Sequence, residues 1–181
     1  MKPLYEALSR YVREGVARFH TPAHKGRIPV DSPWRETLGP GPFSADLPFA
    51  MDLTEVPGLD DLHAPAGAIA RAQDLAAHAF EAEETFFLVN GSTVGIQAAI
   101  MAVCVPGDEI VIPRHAHRSV TSGLILSGAN PVYVRPEYDA ERGLILGVTP
   151  EALTRVLDAH SAIRAVLAVH PTYHGFASDI E

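Results

Sequence analysis

Apolar residues return every three or four positions near the start of the chain: Leu4, Leu8, Tyr11, Val12, Val16 and Phe19. That spacing matches the α-helical turn and predicts an amphipathic helix over residues 3–18 with a single apolar stripe. The stripe needs a cover, supplied by the main body or by a second subunit. Pro22 ends the pattern, and residues 19–27 then concentrate His20, His24, Lys25 and Arg27. Taken alone this is a solvated basic loop. Residues 27–61 are rich in Pro and Gly, yet Trp34, Phe43 and Phe49 are interleaved with them. Aromatics at that density predict an ordered wrapping loop rather than a linker.

A second helical face follows over residues 66–81, carried by Ala68, Ile69, Ala72, Leu75, Ala76, Ala79 and Phe80. From there the pattern alternates. Strands are predicted at 85–89, 109–113, 131–135 and 164–169, and helices at 93–103, 117–126 and 149–159. Thr149 is a good N-cap for the last helix, with Pro150 at its first position. Short apolar runs alternating with helices imply crossover connections and a buried, mainly parallel sheet. The expected fold is α/β, a mainly parallel sheet with helices on both faces, preceded by an N-terminal helical arm. Residues 1–61 form the arm and 62–181 the sheet domain.

In such sheets ligands sit beyond the carboxyl ends of the strands. Three polar turns fall there: 90–95 (NGSTVG), 114–119 (RHAHRS) and 171–175 (PTYHG). The first has the form of an anion cradle. Gly91 permits a sharp turn, Ser92 and Thr93 offer hydroxyls, and the first free N–H groups of the next helix point the same way. It lacks the lysine of a nucleotide P-loop and the spaced glycines of a dinucleotide fingerprint. An ordinary N-cap is the commoner meaning of these six residues by themselves. Three polar turns on one rim bring the phosphate reading level with it.

The histidines of the other two turns admit two chemistries. His115/His117 and His170/His174 have usable zinc spacings, but no local acid or Cys accompanies them, so the metal reading is the weaker. Alternatively a flat imidazole covers a planar aromatic cofactor whose phosphate lies in 90–95. Without a ligand, His117 is a helix N-terminal residue and Thr172 a turn hydroxyl. Asp60, Asp61 and His63 are a further possible metal set, although adjacent acids in a loop usually cap a helix or face water.

Composition narrows the classes. A net charge of −8 over 181 residues argues against nucleic acid or an anionic membrane as partner. Cys104 is the one cysteine, so no internal disulfide forms. The first fifteen residues are too charged for a secretory leader, and the longest uncharged apolar run, 98–105, is far short of a membrane span. A soluble cytoplasmic protein is expected.

Four segments in order, FHTPAHKGR, DLTEVPGLDDLH, FFLVNGSTVGIQAA and PRHAHRSV, resemble the Orn/Lys/Arg decarboxylases of pyridoxal-phosphate fold type I, most closely the shorter bacterial branch. HPTYHG agrees in position with a fifth, and the likeness covers nearly the whole chain. It implies pyridoxal 5'-phosphate as cofactor, a basic amino acid as substrate and a homodimer or higher oligomer. It further implies that Ser92, Thr93 and the backbone of Val94 hold the cofactor phosphate and that His117 stacks on its ring. Thr172 would approach from the next strand end, and the segment around His24 and Lys25 would lie near a partner subunit's active site. Ala23 stands where the family commonly has Gly, and Arg118 where it usually has Lys. Arg118 keeps the charge but not the geometry of lysine.

A pyridoxal enzyme also needs a Schiff-base lysine and an acid beside the pyridine nitrogen. The chain has two lysines, Lys2 and Lys25. Neither matches the family's catalytic lysine, whose position, like that of the acid, comes after the one matching Glu181. The expectation is therefore the N-terminal part of a decarboxylase, inactive by itself, ending in mid-sheet with an uncovered edge. The competing expectation is a truncated, non-catalytic remnant or interaction module. An aminotransferase-like relative fits TPAHKG and GLDDLH less well.

Overall fold

The computed structural model describes residues 2–28, 31–33 and 47–178. Trp34 and Phe43 of the expected wrapping loop lie outside them. The chain divides into two compact units, Met1–Phe87 and Leu88–Glu181.

The first unit holds α1 (Pro3–Glu14), α2 (Leu47–Met51) and α3 (Ala68–Ala79). Helix α1 begins on a proline, whose missing N–H costs nothing at that position. It packs on α3, with Ala7, Tyr11, Ala68 and Ala77 buried, so its stripe is covered in part within its own unit while Leu4 stays exposed. The helix ends at Glu14 rather than near residue 18. Gly15 adopts a left-handed conformation (φ 66°) and donates its N–H to the Val12 carbonyl, a helix stop that costs only glycine so little. Val16 and Phe19 keep the apolar spacing but lie beyond the helix, and Phe19 is 95% exposed.

The strand expected at 85–89 does not form. A strand exists through the ladder it makes with a neighbour, and among the described residues none pairs with this segment. It forms no regular element, and Phe86, Leu88 and Val89 are exposed.

The second unit runs α4 (Gly91–Val103), β1 (Glu109–Pro113), α5 (Arg118–Ser127), β2 (Asn130–Val134), β3 (Glu137–Asp139), β4 (Leu144–Gly147), α6 (Pro150–Ala159) and β5 (Ile163–Val166). The main sheet is parallel, in the order β2-β1-β5, with Val111 opposite Val132 and Val166. The central strand β1 carries the buried run Ile110, Val111, Ile112 and Pro113. Its core partners are Ile100 and Cys104 from the α4 end and Val120, Leu124 and Ala129 from and after α5. Gly123 lets these two helices meet, since a Cβ there would stand 2.7 Å from Ile100 Cδ1. Helix α6 carries the Thr149 cap, whose hydroxyl accepts from Ala152 N.

The antiparallel β3–β4 hairpin had no counterpart in the apolar pattern. Its turn is held by Asp139, which accepts from the backbone N–H of Glu141 and Arg142 and pairs with the Arg142 guanidinium at 2.8 Å. With Gly143 left-handed, the polar loop closes without needing apolar periodicity.

Candidate functional site

Chain direction sets the rim. Helix α4 leads through residues 104–108 into the amino end of β1, and Asp108 tightens that link by accepting from Val105 N at 3.0 Å. Thirteen helical residues span about 20 Å, and five strand residues about 17 Å. In parallel α/β sheets the helices run back against the strands, and a helix and strand of these lengths put the first turn of α4 on the carboxyl rim. Helix α5 starts four residues after that same end, and the loop bearing Thr172 follows β5.

The first turn of α4 is built to leave donors open. Gly91 is left-handed (φ 68°), where a side chain would cost about 1 kcal/mol. Asn90, at the cap position, makes no side-chain bond to the helix. Ser92 and Thr93 are exposed, and their hydroxyls make no bond to any described residue. Val94 is half-buried. Gly95 lets Leu88 lie against the turn, its would-be Cβ falling 2.8 Å from Leu88 Cδ1. Helices α5 and α6 are capped by their own side chains, whereas α4 offers first-turn N–H groups and two hydroxyls to solvent. Together with the positive end of the helix dipole this suits an oxyanion.

His117 is the N-cap of α5. Its Nδ1 accepts from Ser119 N at 3.2 Å and lies 2.8 Å from Ser119 Oγ. Acceptance at Nδ1 puts the proton of the neutral ring on Nε2. Ser119 is itself buried, so the imidazole is fixed at its base while the residue stays exposed at the rim. A ring so anchored can lie over a flat ligand.

Thr172 is buried, and its hydroxyl accepts from Phe176 N at 3.2 Å while its own N–H donates to the Phe176 carbonyl at 2.8 Å. The residue thus closes its own loop, leaving only the hydroxyl proton to give away. Beside it Tyr173 and His174 are exposed, their rings edge to face at 5.4 Å.

His115 lies half-buried between these elements in sequence, with both ring nitrogens buried and without a partner; desolvation holds its pKa below the usual value. Asp60, weighed as a metal ligand, serves backbone instead. Its carboxylate accepts from the N–H of Asp61, Ala66, Gly67, Ile69 and Ala70, capping α3. Sequence gave no sign that one acid would serve so many donors, because Asp60 precedes α3 by eight positions.

The chain is similar to several known proteins. The family model described as "Orn/Lys/Arg decarboxylase, major domain" matches residues 2–181. The arginine decarboxylase of Bacillus subtilis (strain 168) is 41% identical over 179 residues, covering 99% of this chain and 35% of that protein. The inducible lysine decarboxylase of Escherichia coli (strain K12) is 31% identical over 157 residues, covering 84% of this chain and 21% of that protein. The chain thus spans about a third of the arginine decarboxylase and about a fifth of the lysine decarboxylase. Among solved structures, lysine decarboxylase A from Pseudomonas aeruginosa superposes with a TM-score of 0.68 at 26% identity, over 96% of this chain and 25% of that one. The constitutive lysine decarboxylase of E. coli gives 0.69 at 23% identity, over the same shares, a likeness of fold.

Proposed function

The chain belongs to the Orn/Lys/Arg decarboxylase family, and from that premise we propose that it supplies the cofactor-phosphate side of a pyridoxal 5'-phosphate-dependent decarboxylase of basic amino acids. The observation that carries this reading is the first turn of α4, with Ser92 and Thr93 exposed and no side-chain cap on its N–H groups. The residues present fit the group. Ser92 Oγ, Thr93 Oγ1 and the N–H of Val94 would hold the phosphate, and the imidazole of His117 would cover the ring. When bound, the cofactor supplies an electron sink for the charge left as CO2 departs. The chain's own part is binding and orientation: the α4 dipole offsets the phosphate charge, and Ser119 holds the imidazole plane. Thr172 would offer its hydroxyl proton from the loop after β5.

In this reading residues 1–61 serve as an arm and 62–181 hold the cofactor. The substrate is a basic amino acid, the product a polyamine-type amine. The complete enzyme is a homodimer or larger oligomer and works in the cytoplasm. Among the described residues no helix is long and apolar enough to cross a membrane.

The reactive amine comes from outside these 181 residues. Lys25 donates from Nζ to the His20 carbonyl at 2.7 Å, in the unit that does not contain α4. Lys2 precedes α1. Purified 181-residue chain supplied with pyridoxal 5'-phosphate should therefore release no CO2 from arginine, lysine or ornithine. Sustained release of labelled CO2 from any of the three would overturn the division of labour. The absence of a matching lysine also supports a second reading, a non-catalytic remnant of the same family. Restored activity on mixing with a segment that carries the lysine would exclude it.

A further inference from the structure

We propose that a cavity beside the C-terminal end of α1 binds a phosphoryl oxyanion carried by a small molecule, held by Arg18, Lys25 and Arg27. The cavity measures about 490 Å³, and these three cations line it together with Val16, Gly26 and Ala50. No acid lines it. The nearby carboxylates are engaged elsewhere: Glu14 pairs with Arg10 at 3.8 Å, and Asp52 meets His24 Nε2 at 3.0 Å. Three like charges facing one cavity repel one another, and in a chain of net charge −8 such a concentration stands out.

Two of the three cations are held by hydrogen bonds. Arg18 donates from Nη2 to the Ala50 carbonyl at 2.8 Å. Its Nη1 is buried without an acceptor, and it packs so closely on Gly26 that any side chain there would collide with the guanidinium. Lys25 and Gly26 are both left-handed (φ 53° and 77°), strain that a lysine tolerates only where surrounding contacts impose it. His24 imposes it here. Its Nδ1 accepts from Gly26 N at 3.0 Å, and its ring stands edge-on to Phe49 at 5.1 Å. One Lys25 donor is used on His20, leaving two N–H groups for a ligand.

Two arginines offer forked donors suited to the several oxygens of a phosphoryl group. The volume exceeds that of a bare ion and falls in the range of small-molecule sites. Val16 and Ala50 give the organic remainder an apolar wall. All the lining residues belong to the first unit, whereas α4 belongs to the second.

The test is calorimetric titration of the chain with pyrophosphate and with inorganic phosphate, at constant ionic strength set by chloride. Saturable binding is expected, weakened at least ~10-fold by Arg27→Gln and by Lys25→Gln. Both residues are exposed, so the variants keep the fold. Absence of saturable binding overturns the proposal, as does equal affinity in both variants. Binding that survives those two changes but is lost in Thr93→Val would place the anion at α4, refuting this site and supporting the cofactor reading.

Discussion

Ser92→Ala combined with Thr93→Val lowers the affinity of the complete enzyme for pyridoxal 5'-phosphate by about 10²-fold or more. Each hydroxyl would donate to a charged phosphate oxygen, a bond worth about 1.5–3 kcal/mol. Two together give about 3–6 kcal/mol, hence the expected factor. Neither hydroxyl serves any described residue, and both side chains are exposed. The double change should therefore leave the melting temperature of the cofactor-free protein nearly unmoved. His117→Ala removes a face contact, and about a tenfold loss is expected from the stacking lost. Titrating cofactor-free enzyme and following the visible absorbance of bound cofactor measures the affinity of both variants. Unchanged affinity in the double variant would show that the phosphate lies elsewhere.

Asp60→Ala destabilises the N-terminal unit by about 2 kcal/mol, the upper end of the range for helix caps. The reason is the number of clients: one half-buried carboxylate serves five backbone N–H groups, three of them (Gly67, Ile69 and Ala70) at the start of α3. The hydrogen bond from Ala66 is the largest influence holding its pKa well below the usual carboxylate range; burial opposes, and Gly67, Ile69 and Asp61 add to the lowering. The sign follows. A depressed folded pKa contributes stability above the unfolded value of about 4, and that stability is lost as pH falls toward the folded value. Urea unfolding at pH 7 and at about pH 3 should show this loss in the parent protein and much less of it in Asp60→Asn. Equal pH slopes in the two proteins would remove Asp60 from the role.

The features legible in sequence are those whose cause is local. Thr149-Pro150 announced α6 because cap and ring chemistry act within one turn. The run 109–113 announced β1 to the residue, since a central parallel strand must be apolar on both faces. Helices α4 and α5 and strands β2 and β5 fell within one to three residues of the expected ends. What failed depended on distant partners or on a single conformation. Residues 85–89 have the composition of a strand but lack a neighbour to pair with. Gly15 stopped α1 although the apolar spacing continued past it.

The candidate site followed the same division. Gly91, Ser92 and Thr93 could be read as a turn with open donors, and His117 as a helix-start residue. That α4 would lack a side-chain cap, while Ser119 fixed the His117 ring, required the coordinates. The basic segment 19–27 read as solvated. Only the folded loop, with His24 clamped between Gly26 and Asp52, reveals a structured cationic wall.

Borohydride reduction of the cofactor-loaded complete protein, followed by peptide mapping, tests most directly whether these residues hold the cofactor while another segment reacts with it. The expected adduct sits on a lysine outside residues 1–181, with Lys2 and Lys25 unmodified. An adduct on Lys25 would contradict this, because the reactive amine would then lie within the chain and in its N-terminal unit.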